Sequence, residues 1–257
     1  MNDEEVLTGG VINTVTRRGD VVYRSGGPWS VAVQDMLAHL QRRGFTYAPA
    51  PLGIDEHGRE MIAFLPGAVM WRPWRPVMFT DHALVQAATI LRALHDATRD
   101  LTYPPETVWR TGTAGKQPGQ VIRHGDLGPW NMLWEGDTIT GLIDWDFAEP
   151  GEAITDLAQM ALYCVPLRGE AHWRECGFPE RPRFRHRVDV LCQAYGAFTV
   201  PEVVREIVRL QRAAMADIES RTAQGLYPWT MFRDNGEVAH TQAEIDWLQE
   251  EFPDAES

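Results

Sequence analysis

Lysine is almost absent from this chain of 257 residues: of its 24 lysine and arginine residues, only Lys116 is lysine. The 24 basic residues are outnumbered by 36 acidic residues, which gives a net charge of −12 at pH 7. Proteins that bind nucleic acids need clustered Lys and Arg side chains against the phosphate backbone. We therefore expect no nucleic-acid partner.

Cysteines and long apolar segments are also scarce. The three cysteines, Cys164, Cys176 and Cys192, show no paired or CxxC spacing, which is typical of reduced thiols in a cytoplasm. No apolar run approaches the roughly 20 residues that span a bilayer, so we expect no membrane partner. The first ten residues, MNDEEVLTGG, are acidic and lack the apolar core of a signal peptide. These features predict a cytoplasmic protein.

Short β-type runs and turn signals fill the first quarter of the chain. VINTV and VVYR flank a glycine-containing turn at 18–20, and PLGI and REMIAFL bracket a second turn at 55–58. Between these pairs, VAVQDMLAHLQRR has apolar residues at helical spacing, with Ser30 as the expected N-cap. Residues 1–65 therefore predict an antiparallel sheet that carries one helix.

Longer helical patterns dominate the rest of the chain. A Trp- and Pro-rich stretch follows LPG at 65–67, and helical patterns begin near Thr80. They are interrupted by a Pro/Gly/Thr-rich loop at 99–120 and by three short strands, QVIR, MLW and TITGLIDW. In the last helix, Thr241 and Glu244 have capping-box spacing. The pattern predicts an α+β protein with a small sheet domain at 1–66 and a larger, mainly helical domain at 67–257.

Three polar residues around a predicted hairpin have a telling spacing. In VIRHGDLGPWNMLW, Asp126 is followed five residues later by Asn131, and Asp144 lies beyond the hairpin in LIDWDF. A tight hairpin brings its two ends together, so Asn131 and Asp144 should be neighbours, with Asp126 on the adjoining loop. Phosphoryl transfer needs one carboxylate to orient the attacking hydroxyl and other oxygen ligands to hold Mg²⁺. This spacing matches that of a kinase site.

Two other interpretations compete for the same residues. HGD alone is compatible with a simple turn, in which Gly125 makes the bend and Asp126 caps backbone N–H groups. An H-x-D pair is also found among metal ligands of hydrolases, but the remaining histidines show no matching pattern. Asn131 and Asp144 together favour the kinase interpretation over either alternative.

HGDLGPWNMLW followed by GLIDWDFAEPGEAITDLA resembles the aminoglycoside phosphotransferase and choline-kinase-like family, which carries an HGDLxxxN loop and an I-D-[WF]-[DE] segment. The resemblance implies a bilobal protein-kinase-like fold with a small antiparallel-sheet N-lobe and a larger helical C-lobe. It implies that Asp126 is the catalytic base, that Asn131 and Asp144 bind Mg²⁺, and that His124 anchors the loop. Asp146 and Asp156 match acidic positions with a mainly structural role.

The nucleotide side departs from the kinase pattern. The family places a Lys on a small-lobe strand, and Arg24 stands at the matching position, at the end of DVVYR. A Glu is expected near Val33, where Asp35 is the nearest acid. The pair Gly9-Gly10, ahead of VINTV, is a weak signal for a glycine-rich loop. The lobe connector would be AFLPG, with Phe64 and Leu65 beside the adenine.

The sequence therefore predicts an ATP- or GTP- and Mg²⁺-dependent O-phosphotransferase that acts on a hydroxyl of a small molecule. The acceptor class stays open between an aminoglycoside, another antibiotic and a metabolite, and we expect a monomer or weak homodimer. The missing Lys and Glu motivate one alternative, a catalytically impaired pseudokinase that binds nucleotide or ligand. Late acidic residues are candidates for contacts with a cationic acceptor: Asp234, Glu237, Asp246 and Glu250.

Overall fold

The computed structural model describes residues 5–7 and 15–255. Within them the chain packs as two compact units, each built from two stretches of sequence. The first unit draws on residues up to 70 and on 89–156, and the second on 71–88 and the residues from 157 onward. The domain boundary between residues 66 and 67 stays a prediction, since this grouping reflects packing alone.

A five-stranded antiparallel sheet forms one part of the first unit, as the alternating pattern predicts. The strand order is β1-β2-β3-β5-β4, and every neighbouring pair is antiparallel. The strands are β1 Glu5–Leu7, β2 Val15–Arg18, β3 Val21–Ser25, β4 Pro51–Ile54 and β5 Arg59–Ala63.

Helix α1, Ser30–Arg42, packs with its apolar face inward. Met36 and Leu40 are fully buried, and burial of each such side chain stabilises the fold by about 1.5–3 kcal/mol. The helix begins one residue earlier than predicted, because Trp29 is the N-cap and Ser30 is already helical. The Ser30 hydroxyl instead accepts a hydrogen bond from the Gly27 N–H at 2.9 Å, which closes the turn before the helix.

Three short two-stranded ladders complete the first unit, and all are antiparallel. Two of them frame the HGDLGPWN segment, since β8 precedes it and β9 follows it. The third forms a small hairpin within the loop predicted at 99–120. The ladders are β6 Val108–Trp109 with β7 Gly112–Thr113, β8 Val121–Arg123 with β11 Glu149–Gly151, and β9 Met132–Glu135 with β10 Thr138–Leu142.

Helices make up most of the second unit. Helix α6 starts with a capping box between Thr199 and Glu202 and carries Pro201 in its first turn. The last helix begins at Glu237 behind the N-cap Gly236, so the capping box predicted at Thr241 and Glu244 is wrong. Helices α2 Asp81–Thr98 and α3 Ala153–Cys164 belong partly to each unit. The helices wholly within the second unit are α4 Glu170–Glu175, α5 Phe184–Tyr195, α6 Val200–Ala223, α7 Trp229–Asp234 and α8 Glu237–Glu251.

Across residues 5–7 and 15–255, no helix combines the length and the apolarity needed to cross a lipid bilayer.

Candidate active site

The HGDLGPWN segment is a loop between β8 and β9 that bends sharply at Gly125. This glycine has φ +79°, and a Cβ there would lie 2.1 Å from the Phe147 carbonyl oxygen. Only glycine fits that approach. The loop then closes into one turn of 3₁₀ helix, Pro129–Asn131, and runs directly into β9.

Asp156 anchors the start of this loop from helix α3. Its carboxylate accepts hydrogen bonds from the backbone N–H of His124 at 2.7 Å and of Gly125 at 3.1 Å. His95 Nε2 lies 3.2 Å from the same carboxylate, and both side chains are fully buried. Burial raises the pKa of Asp156, but hydrogen bonding and charge from His95, with a smaller contribution from the Arg123 guanidinium, hold it below its ordinary value. The loop is therefore anchored by an ionised, buried carboxylate.

The ring of His124 is used entirely in holding the loop. Its Nε2 is 3.1 Å from the Ile143 carbonyl, and the N–H of Asp126 points to its Nδ1 at 3.4 Å. The ring also packs against Trp145, with centroids 4.4 Å apart. Burial lowers the pKa of His124, which favours the neutral ring. Nε2 then donates and Nδ1 accepts, so this imidazole is a fixed support.

Asp126 and Asn131 form the centre of the loop. The amide nitrogen of Asn131 donates to both the backbone carbonyl and the carboxylate of Asp126, each at 2.8 Å. Burial raises the pKa of the Asp126 carboxyl, and the nearby charge of Asp144 raises it further. Because the amide hydrogens of Asn131 are directed to Asp126, its carbonyl oxygen is the atom that can serve a cation.

Asp144 joins this pair from the far end of the β9–β10 hairpin. The Ile143 N–H donates to the Asn131 carbonyl at 3.0 Å, which holds the two ends of the hairpin together. Asp144 adopts a left-handed backbone (φ 64°, ψ 67°) before one turn of 3₁₀ helix, Trp145–Phe147. Its side chain is 48% exposed, so its carboxylate is accessible. The structure thus brings Asp126, Asn131 and Asp144 together.

Arg24 lies beside this group in a cluster of buried carboxylates. Its Nε donates to Glu60 Oε2 at 2.7 Å, and Nη1 is 3.4 Å from Asp144 Oδ1. Its Nη2 pairs with Asp146. Arg24 is 8% exposed and Glu60 is 1% exposed. One guanidinium therefore links the sheet to the segment that carries Asp144.

The acidic partner of Arg24 is not on helix α1. Val33 is buried in the core, and Asp35 is exposed and accepts a hydrogen bond from the Tyr103 hydroxyl at 3.1 Å. The partner is Glu60, which lies directly opposite Arg24 in the β3–β5 ladder. The identity of this partner, which the sequence leaves open, is therefore supplied by the sheet and not by Asp35.

The model of the phosphotransferase enzyme family matches residues 106–207. The trifolitoxin immunity protein of Rhizobium leguminosarum bv. trifolii is 40% identical over 201 residues, which span 76% of this chain and 75% of that protein. The chain belongs to the phosphotransferase enzyme family.

Solved structures of phosphotransferases share the fold of this family member. A choline/ethanolamine kinase family protein from Mesorhizobium loti is 16% identical with a TM-score of 0.62, covering 97% of this chain and 92% of that one. The amicoumacin kinase hAmiN, in complex with AMP-PNP, Ca²⁺ and Ami, is 11% identical with a TM-score of 0.65, covering 94% and 87%. These similarities confirm the bilobal kinase-like fold, with a small antiparallel sheet and a larger helical part.

Phe64 and Leu65 follow β5 directly, where the family resemblance places the lobe connector. The Phe64 N–H donates to the Asp20 carbonyl at 2.8 Å, and the Arg17 guanidinium lies 3.5 Å from the centre of the Phe64 ring. Leu65 packs close to Gly141. Both side chains are half-buried, and their contact with a nucleotide base stays a prediction. Gly9 and Gly10 lie outside the described residues.

The donor atoms around Asp126 suit a hard divalent cation. Among residues 5–7 and 15–255, no group of three or more His, Cys, Asp or Glu side chains could hold a metal ion. The site instead offers two carboxylates and one amide oxygen, and Mg²⁺ commonly takes only one or two carboxylates beside substrate phosphates and water. The Asn131 amide oxygen and the Asp144 carboxylate, with the Asp126 carboxylate beside them, therefore fit Mg²⁺.

The acidic residues of the second unit are mostly engaged. Asp234 pairs with Arg233, and Asp246 accepts a hydrogen bond from Gln242. A more buried acid, Glu244, is held by Arg168 at 3.0 Å and by Gln211 at 2.8 Å. Of the four candidates predicted to contact a cationic acceptor, these two therefore already have partners within the described chain.

Proposed function

We propose that this protein is an ATP- or GTP- and Mg²⁺-dependent phosphotransferase that phosphorylates a hydroxyl group of a small molecule. The observation that carries the proposal is the grouping of Asp126, Asn131 and Asp144 within one anchored loop and hairpin. The family membership and the nucleotide complexes among the structural relatives support it.

In this proposal Asp126 orients the acceptor hydroxyl and takes its proton. The Asn131 amide fixes the carboxylate by its hydrogen bond at 2.8 Å, and the anchored loop holds both residues. Such fixed orientation of the attacking oxygen is a major part of phosphoryl-transfer catalysis. Asn131 and Asp144 would hold Mg²⁺, which supplies charge neutralisation at the phosphates when bound.

The balance of charge supports a divalent cation at this place. When every group is ionised, the site carries two more negative than positive charges, and one Mg²⁺ would neutralise them. The ionisable side chains counted are the carboxylates Glu60, Asp126, Asp144 and Asp146 and the guanidinium groups Arg24 and Arg110.

Arg24 is proposed to contact the nucleotide phosphates in place of the usual Lys. Its guanidinium is buried, oriented by Glu60 and adjacent to Asp144. Arginine binds phosphate through planar, often bidentate hydrogen bonds. The buried Arg24–Glu60 pair weakens the case for an impaired pseudokinase, whose motivation is the missing Lys and Glu.

A thermal-shift measurement with ATP or GTP, with and without Mg²⁺, tests nucleotide binding. A nucleotide that binds the native state raises the melting temperature, and we expect the largest rise when Mg²⁺ is present. Arg24→Ala should reduce that rise. An unchanged melting temperature in every condition would remove the support for a kinase.

A second candidate function is immunity by binding a toxin without chemistry. It is favoured by the 40% identity to a trifolitoxin immunity protein. Incubation with ATP, Mg²⁺ and either trifolitoxin or one of a panel of hydroxylated antibiotics, followed by mass spectrometry, separates the two functions. A mass gain of one phosphoryl group supports the kinase, whereas protection of cells that survives Asp126→Asn supports binding alone.

A further inference from the structure

Arg110 occupies an unusual position at the turn of the β6–β7 hairpin. Its guanidinium lies near two aromatic rings, 4.6 Å from the centre of the Trp29 ring and 4.9 Å from that of Phe147. Its Nη1 donates to Asp146 Oδ2 at 3.0 Å. The Arg110 side chain is 23% exposed and that of Asp146 is 4% exposed. This arginine is therefore held by stacking and by an ion pair to a buried carboxylate.

The segment that Arg110 contacts is the one that presents Asp144. Asp146 and Phe147 belong to the single 3₁₀ turn Trp145–Phe147, and Asp144 immediately precedes it with φ 64°. A non-glycine residue in this conformation costs about 1 kcal/mol or more and persists only where the surroundings enforce it. Thr111, the next residue of the hairpin, also hydrogen-bonds to Glu149. The β6–β7 hairpin thus holds the chain just beyond Asp144 through side-chain hydrogen bonds to Asp146 and Glu149.

Arg24 and Arg110 hold Asp146 from different sides and differ in what else they touch. Arg24 reaches Asp144 itself at 3.4 Å, so it is adjacent to the proposed phosphate and metal positions. Within residues 15–255, Arg110 makes no hydrogen bond or ion pair with Asp126, Asn131 or Asp144. Apart from the long-range repulsion between its charge and a cation, any influence of Arg110 on the site must therefore pass through Asp146 and the 3₁₀ turn.

We propose that Arg110 is a positioning residue for the cation site, which fixes Asp144 in its ligating orientation by holding Asp146. This inference rests on the proposed function. Groups that orient metal ligands typically change metal affinity about 10–100-fold when they are removed. Arg110 is expected to affect the binding of Mg²⁺ and to leave the binding of nucleotide itself largely unchanged.

Calorimetric titration with AMP-PNP over a range of Mg²⁺ concentrations tests the proposal without relying on turnover. For Arg110→Ala we expect the Mg²⁺ concentration needed for half-maximal binding to rise about tenfold or more. At saturating Mg²⁺ the affinity for AMP-PNP should return close to the wild-type value. An unchanged Mg²⁺ requirement would overturn the proposal.

Two conservative variants separate charge from packing. Arg110→Lys keeps a positive charge near Asp146 but loses the flat stacking group, and Arg110→Gln keeps a flat amide but loses the charge. If the ion pair orients Asp144, the Lys variant should recover part of the Mg²⁺ affinity and the Gln variant should resemble Ala. Recovery with Gln alone would mean that Arg110 acts by packing, and the proposal would fail.

The route through Asp146 is tested by combining substitutions. Once Asp146→Asn has removed the carboxylate, Arg110→Ala should add little further loss of Mg²⁺ affinity, because the two changes disrupt one interaction. A full additional loss in that background would contradict the proposed route. If the double variant does not fold, as judged by circular dichroism, the Lys and Gln variants decide the question.

Arg209→Ala is a matched control. Arg209 is exposed and pairs with Glu206 three residues earlier on helix α6, so its loss removes an arginine ion pair far along the sequence from the site. Its Mg²⁺ requirement should equal that of the wild type. If the wild-type protein itself binds no Mg²⁺-nucleotide, the proposed function fails; if it does and Arg110→Ala behaves as the wild type, only this inference fails.

Discussion

The HGDLGPWN loop and the Arg24 cluster are neighbours in the first unit, but they are held by different forces. In the loop, backbone N–H groups of consecutive residues bind one buried carboxylate, Asp156, and the His124 ring spans to Ile143. In the cluster, long side chains from separate elements converge on carboxylates, with Arg24, Glu60 and Asp146 as the central members. The loop is fixed by hydrogen bonds to its backbone, and the cluster by ion pairs between side chains.

This difference has consequences for function. Backbone anchoring places Asp126 where small side-chain motions do not move it, which suits a group that must align an acceptor. Ion pairs can exchange partners, and Arg24 already contacts a carboxylate that is half exposed, Asp144. The loop is thus suited to chemistry, and the cluster to binding a charged ligand. Substitutions in the two regions should therefore change different measured quantities.

The largest effect is expected for Asp126→Asn, which changes the chemical group and leaves the loop geometry intact. Loss of the proton acceptor should reduce kcat for phosphate transfer by about 10²–10⁴-fold. Nucleotide affinity by calorimetry should stay close to wild type. Turnover near the wild-type rate would rule out Asp126 as the base.

Asp156→Asn should break the anchoring of the loop. An amide in place of the carboxylate weakens the bonds from two backbone N–H groups and from His95 in a fully buried place. We expect a loss of about 3 kcal/mol or more in the free energy of unfolding, measured by urea denaturation. Asp96→Asn, which removes an exposed carboxylate paired with Arg92, should cost less than about 1 kcal/mol.

The same carboxylate predicts a dependence of stability on pH. The pKa of Asp156 in the folded protein lies below its ordinary value of 3.8. The unfolded chain then binds a proton more readily, so this contribution is fully present above pH 3.8 and is lost as pH falls through the lower native pKa. Below pH 3.8, wild-type stability should decline more steeply than that of Asp156→Asn. Parallel declines would mean that Asp156 is not held ionised.

The same contrast explains what the sequence predicts. Asp126 and Asn131 are close in sequence, and the hairpin that brings Asp144 to them is visible as a turn between two β-type runs. The grouping of Asp126, Asn131 and Asp144 can therefore be predicted from a short segment of sequence. The beginning of helix α8 differs from the prediction: Thr241 and Glu244 have capping spacing, but the helix begins at Glu237 behind the N-cap Gly236.

The cluster could be predicted only in part. The position of Arg24 at the end of a strand indicates its role as the basic residue of the nucleotide site, but Glu60 is not identified from the sequence as its acidic partner. A signal was present, since strand alternation puts Arg24 on the same face as buried Val22, and Glu60 on the same face as buried Ile62. Two opposite charges on one buried face of a sheet indicate an ion pair. Arg110 gave no such signal, because it lies in an irregular loop.

A smaller effect is expected for Glu60→Gln, which removes the charge that orients Arg24. The hydrogen bond to the Arg24 Nε is retained in weaker form, so the loss of stability should be about 1–3 kcal/mol. Nucleotide affinity should fall, while kcat at saturating nucleotide should change little. A fall in kcat with unchanged nucleotide affinity would mean that the Arg24 cluster acts in phosphate transfer and not in nucleotide binding. The proposed difference in function between the cluster and the loop would then be wrong.

The smallest effect is expected for Asp35→Asn, which tests the acid that lies on the helix. Asp35 is exposed and its carboxylate accepts one hydrogen bond from Tyr103. An amide oxygen can accept the same bond, so the free energy of unfolding should change by less than about 0.5 kcal/mol. Nucleotide affinity, measured beside Glu60→Gln, should equal that of the wild type, because Asp35 makes no ion pair with Arg24 within the described part of the chain. A loss of affinity as large as that of Glu60→Gln would mean that the helix moves to offer Asp35 to the nucleotide site, and the sheet would then not be the sole source of the acidic partner.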